Sequence, residues 1–162
     1  MWKETASWPY KFPLSADLSH SNQRGIVRGQ LQVRQRYINN APMPAASAYV
    51  GVAPPGDVGS WQRENKGYQF WTRADTMGNF LIKDIQVGTY NLYASVLGLI
   101  GDYEYNVPVN ITPGCYIRLN DLVYEPPRNG PTLWEIGIPD RTASEFYVPD
   151  PNPSLVNHDI EK

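Results

Sequence analysis

The chain has 162 residues, 41% of them hydrophobic and 19% charged, with a formal net charge of -2. That is enough for one domain of ordinary size with a packed core, plus some further chain. The basic residues are scattered, which argues against nucleic acid or an anionic membrane surface as a partner, and no run of about 18 apolar residues exists to cross a membrane as a helix.

Fifteen Pro and thirteen Gly predict many turns and few long helices. The N-terminal "MWKETASWPY" lacks the apolar run of a signal peptide. Residues 1–23 read as an extended lead-in, broken by Pro9 and Pro13. Strand periodicity then begins. In "IVRGQLQVR" Val27, Gly29, Leu31 and Val33 fall on one face, and Arg28, Gln30, Gln32 and Arg34 on the other. "INNAPMPAAS" reads as a loop. "AYVGVA" is a second strand, with Ala48, Val50 and Val52 on one face. "YQFWTRA" sets Tyr68, Phe70 and Thr72 against Gln69, Trp71 and Arg73. After the turn "DTMGN", "FLIKDI" places Phe80 and Ile82 together, and "YNLYASV" aligns Tyr90, Leu92, Ala94 and Val96. "YEYNVPVNI" alternates most cleanly, with Tyr103, Tyr105, Val107, Val109 and Ile111 on one face. Pro108 cannot donate to a ladder, which marks an edge strand. "CYIRLNDLVY" is the seventh strand.

Seven short strands over residues 24–124, with no helical period, predict an all-β, seven-stranded antiparallel β-sandwich of the immunoglobulin or fibronectin type III sort. The predicted core is Val27, Leu31, Val33, Val50, Phe70, Phe80, Ile82, Leu92, Val107 and Val109. Burying each large side chain contributes about 1.5–3 kcal/mol, which also draws Tyr68, Tyr90 and Tyr105 inward. Residues 125–131, "EPPRNGP", form a stiff polar linker. Residues 132–162 carry Pro149, Pro151 and Pro153 without a strand pattern and are too few for an independent core.

Little in the chain suggests catalysis. There is no metal-spaced Cys/His cluster, HExxH, GxSxG or phosphate loop, so neither a metal nor a cofactor is expected. His20 and His158 lie in the two least patterned segments. Asp102 and Glu104 stand two apart, which suits a solvated strand face as well as an acid/base pair. Cys115, the single cysteine, reads as a small buried hydrophobe rather than a reactive thiol. Asn110-Ile111-Thr112 is a glycosylation sequon followed by Pro113, with meaning only in a secreted protein.

Binding is better served. Sugars present flat apolar faces ringed by hydroxyls, and exposed aromatic planes beside Arg, Lys and amides hold them. "WQRENKGYQFWTRA" supplies Trp61, Arg63, Lys66, Trp71 and Arg73, and Trp134 and Arg141 repeat the pairing further on. Trp61 and Trp71 are the aromatics that the core explains least, so they face outward. They either contact sugar or cover the sheet against another domain.

Long stretches of the chain resemble plant rhamnogalacturonan lyases of polysaccharide lyase family 4. They are "AYVGVAPPGDVGSWQRENKGYQFWTRADTMGNFLIKDIQVGTYNLYA", "LIGDYEYNVPVNITPG" and "LVYEPPRNGPTLWEIGIPDRTASEFYVPDPNP". The likeness runs from about Ser7 to Pro153. Its implied architecture is a catalytic N-terminal β-domain, a fibronectin type III-like middle domain and a C-terminal jelly-roll related to carbohydrate-binding modules. Residues 24–124 correspond to the middle domain, and residues 132–162 to an incomplete start of the jelly-roll. "ADTMGNFLIKDIQVGTYNLYA" is also similar to carboxypeptidase regulatory-like domains, with a D-x-x-G turn at Asp75 and Gly78 that equally suits a plain hairpin.

The family cleaves the rhamnose–galacturonate backbone of pectin by β-elimination, outside the cell at the wall. The Lys and His that serve this chemistry belong to the N-terminal domain, and no position here matches them. The resemblance therefore implies a non-catalytic ancillary piece of such a lyase. Its implied partners are pectic rhamnogalacturonan I or the domains missing from this chain. The alternative is a carbohydrate-binding module acting through the aromatic and basic residues named above.

Overall fold

The computed structural model describes residues 21–37, 39–62, 67–99, 101–130 and 133. The predicted lead-in up to residue 20 and the predicted jelly-roll start, Leu133 apart, lie outside the described residues. The fold is an all-β sandwich of the fibronectin type III-like kind, with no α-helix among the described residues. Eight strands form it: β1 (Gly25–Gln35), β2 (Asn39–Pro44), β3 (Tyr49–Ala53), β4 (Phe70–Arg73), β5 (Asn79–Ile85), β6 (Gly88–Ser95), β7 (Tyr103–Ile111) and β8 (Tyr116–Tyr124).

One sheet runs β4-β3-β6-β7, all antiparallel. The other is built on β1. Its first half pairs antiparallel with β5, from Gly25↔Ile85 to Gln30↔Asn79, and its second half with β2, from Gln32↔Pro44 to Gln35↔Asn39. Along the opposite edge β8 lies parallel to β1, from Ile26↔Tyr116 to Val33↔Tyr124. Two details of the predicted sandwich change. The strand count is eight rather than seven, because β2 lies in the expected loop. One pairing is parallel. Pro42 and Pro44 obscure β2 in the sequence, yet a strand with a single partner tolerates residues that donate no hydrogen bond.

The core lies between the sheets. Val27 and Leu31 of β1, Phe80, Ile82 and Ile85 of β5, Val50 and Val52 of β3, and Leu92 and Ala94 of β6 are all buried. The alternation that predicts them holds wherever a strand is regular. It fails at bulges. Ile82 and Ile85, three apart, both point inward because Asp84 takes a left-handed φ of 57° and the β1/β5 register shifts there. Asp121, at φ 56°, does the same for Leu119 and Leu122 on β8.

Four burial expectations are corrected. Val107 is 55% exposed, not core. On β7 the register passes from Tyr90↔Val109 to Leu92↔Tyr105, so Asn106, Val107 and Pro108 bulge opposite Asn91. Pro108 marks an edge strand as read, but the ladder bends away around it and takes Val107 out. Tyr68 is 63% exposed, because the strand starts at Phe70 and no pleat turns Tyr68 inward. Phe70 is only partly buried, at the core margin, edge-on to Tyr90 with centroids 6.0 Å apart. Trp61, expected outside, is buried. Tyr105 and Cys115 are partly buried and pack against the core.

The D-x-x-G turn ties the two sheets together. Asp75 Oδ1 accepts hydrogen bonds from the Met77 and Asn79 amides, both at 2.8 Å, and Asn79 Nδ2 donates to Oδ2 at 3.0 Å. The side-chain and backbone bonds from Asn79, then that from Met77, hold the Asp75 carboxyl below the usual range. The turn's stabilisation is therefore present above the ordinary aspartate pKa and fades as pH falls through the lowered one. Gly78, at φ 75°, lies against the Leu31 carbonyl, where a Cβ would come within 2.3 Å of the oxygen. Its own carbonyl accepts the Leu31 amide at 2.9 Å. Only glycine meets both demands.

Candidate functional site

The outward positions of β3, β4, β6 and β7 build one candidate surface. Register sets Trp71, Gly51, Tyr93 and Glu104 in a row across the four strands, with Arg73, Tyr49 and Ser95 in the next. The Trp71 indole lies across Gly51, where a Cβ would come within 2.2 Å of its ring. The loop after β3 then folds back through a short 3-10 turn, Ser60–Gln62, and sets Trp61 on this face. Trp61 meets Tyr93 at 4.5 Å and Trp71 at 5.7 Å between ring centroids, and with Ala53 it makes a second small apolar cluster.

Polar atoms in this cluster find partners inside it. Trp71 Nε1 donates to Gln69 Oε1 at 3.0 Å, and Gln69 Nε2 donates to the Trp61 carbonyl at 2.7 Å. The Tyr93 hydroxyl donates to the Gly56 carbonyl at 2.5 Å. Asn91 Nδ2 donates to Glu104 Oε1 at 3.0 Å, which occupies one of the two carboxylates considered for acid/base work. What remains open is the rim. Trp71 is 38% exposed and Tyr49 37%, and the Arg73 guanidinium lies 5.5 Å from the Tyr49 ring centre.

Of the predicted site residues, Trp61, Trp71 and Arg73 come together on this one face. Arg63, Lys66, Trp134 and Arg141 lie outside the described residues, as do His20 and His158. The sequence reading missed Tyr49, Gly51 and Tyr93. Alternation carries the signal: each is outward on a strand whose inward neighbours are apolar.

A second surface lies on the opposite sheet. Register aligns Leu81, Arg28 and Arg118 across β5, β1 and β8. A groove of about 810 Å³ runs over this face, lined also by Gln32, Asn79, Tyr116 and Asn120. Arg28 sits over the Tyr116 ring, 5.2 Å from its centre. Arg118 makes no hydrogen bond or ion pair among the described residues, where Arg34–Glu125 at 2.8 Å is the one salt bridge. No cluster of three or more His, Cys, Asp or Glu placed to hold a metal occurs among the described residues.

Comparison with known proteins points the same way as the strings quoted from the sequence. Residues 45–119 match the model of polysaccharide lyase family 4, domain II. The chain is 28% identical over 130 residues to a protein named "Probable rhamnogalacturonate lyase B" of Aspergillus terreus, an alignment covering 78% of this chain and 18% of that protein. It is 28% identical over 152 residues to a rhamnogalacturonate lyase of Dickeya dadantii, covering 91% of this chain and 23% of that one. The chain thus spans about a fifth of the length of these relatives. They are fungal and bacterial, and the narrower plant assignment finds no support in them. A solved structure from Pseudomonas aeruginosa aligns with 65% of this chain at 12% identity and a TM-score of 0.45, too distant to bear on function.

Proposed function

We propose that this chain is a family 4 middle domain, an ancillary and non-catalytic unit of a lyase acting on rhamnogalacturonate outside the cell. In this reading residues 24–124 are the domain, and the elimination chemistry belongs to another part of the lyase. The observation that carries the role is the closed aromatic cluster. Trp61 is buried, the Trp71 indole N–H is taken by Gln69, and Tyr93 is fixed to Gly56. Side chains committed to one another make framework, and their exposed rim at Trp71 and Tyr49 suits contact with a neighbouring domain. A carbohydrate-binding role for the same face draws on Arg73 beside Tyr49 and the half-open Trp71.

The test is the ultraviolet absorbance of unsaturated uronate, followed while the purified chain is incubated with rhamnogalacturonan. No enzyme-dependent rise is expected. A rise that survives repurification and disappears in His20→Ala or Lys66→Ala would place the catalysis in this chain. Binding of the polymer that is lost in Trp71→Ala, with the fold retained, would favour the binding-module reading of this face.

A further inference from the structure

We propose that the outer face of the β5-β1-β8 sheet is a second site, which holds the carboxylates of an acidic polysaccharide between Arg28 and Arg118. That the acid is the uronate of a rhamnogalacturonate chain rests on the reading above; that the face takes a polymeric carboxylate rests on its own geometry. Arg28 and Arg118 are register partners on adjacent strands, so both guanidinium groups rise from the same side of the sheet. Like charges directly opposite one another are unfavourable in an isolated sheet. No carboxylate is paired with either group among the described residues. A ligand carboxylate removes the repulsion and meets planar donor forks that suit two parallel hydrogen bonds.

The surroundings suit a sugar acid better than a simple anion. Tyr116 is 56% exposed beside Arg28, and Leu81 is 41% exposed on its other side, so apolar surface flanks the charges. Gln32 and Asn120 line the same groove and offer amide donors and acceptors to hydroxyls, while Asn79, whose Nδ2 is held by Asp75, offers its carbonyl oxygen. A volume of about 810 Å³ has room for a few sugar rings. Two carboxylates also line it. That of Asp75 is occupied by Met77 and Asn79, and Asp121 is the remaining one. Lys83 and Arg73 add positive charge at the margins, Arg73 as part of the lining.

The experiment is calorimetric titration of the full chain with three probes: rhamnogalacturonan oligosaccharide, the same oligosaccharide with its carboxyl groups reduced, and inorganic phosphate. Binding of the acidic oligosaccharide is expected, with at least tenfold weaker binding of both other probes. The double variant Arg28→Ala, Arg118→Ala is expected to lose at least tenfold in affinity while its melting temperature stays level or rises. Asp121→Asn is expected to bind more tightly. Equal affinity for the reduced sugar, equal affinity for phosphate, retention of binding in a folded double variant, or no binding by the parent chain would each overturn the site. Loss of binding in Trp71→Ala alone would move it to the opposite sheet. Absence of binding leaves the ancillary reading standing, whereas release of unsaturated product by the chain removes that reading and leaves this site untouched.

Discussion

On the β4-β3-β6-β7 sheet the outward aromatic side chains pack on and bond to one another. Trp71 lies on Gly51, Trp61 closes over Tyr93, and Gln69 joins both tryptophans through hydrogen bonds. On the β5-β1-β8 sheet they do not. Arg28 and Arg118 stand side by side, and among the described residues the Tyr116 ring answers Arg28 alone. The two faces share one backbone geometry and differ in what their outward positions do for the fold. The first adds a small core to the main one. The second adds no such cluster and sets two like charges on neighbouring strands. An aromatic surface that looks like a binding platform in a string of letters can be largely packed against itself.

Truncating the aromatic face gives the largest effect. Tyr93→Ala removes a fully buried ring and a part-buried hydroxyl hydrogen bond, with an expected loss of about 3–5 kcal/mol in urea unfolding. A loss under about 1 kcal/mol would show that Trp61 and Tyr93 do not act as core, and the contrast between the faces would fail. Gly78→Ala tests the turn that joins the sheets. The left-handed φ and the approach to the Leu31 carbonyl predict a loss of about 1–3 kcal/mol by the same measurement. The smallest effect belongs to the basic face. Arg118→Ala is expected to leave stability unchanged or to raise it by about 0.2–1 kcal/mol at low salt, with the gain shrinking as salt screens the pair. A clear destabilisation would mean that Arg118 serves the fold after all.

Much of this architecture is legible in the sequence. Val27, Leu31, Val50, Phe80, Ile82 and Leu92 are inside because period-2 alternation is a direct readout of pleat geometry. The alternation stops being informative at a bulge, which is why Val107 came out of the core and Ile85 went in. Trp61 went the other way for a different reason. It lies in a loop, and where a loop folds back is decided by the surface it meets, here Tyr93 and Ala53. The pairing of Arg28 with Arg118 was beyond reach of local pattern. Ninety residues separate them, and only the parallel register of β1 and β8 makes them neighbours. The strings that resemble the lyases carry the family likeness but not which outward face packs on itself and which stays bare.

The parallel pairing of β1 and β8 has a mechanical consequence. Two antiparallel neighbours bring the incoming and outgoing chain to the same end of a sheet. Parallel ones send them to opposite ends, so the chain enters β1 at one pole of the sandwich and leaves β8 at the other. The shared register from Ile26↔Tyr116 to Val33↔Tyr124 sets these points apart by roughly 23 Å at ~3.3 Å per residue. Tension applied to the two flanks pulls β1 and β8 past each other along their length. Their ladder hydrogen bonds then share the load together, in shear, instead of opening one after another like a zip. A unit wired this way resists extension between its two ends as a stiff strut.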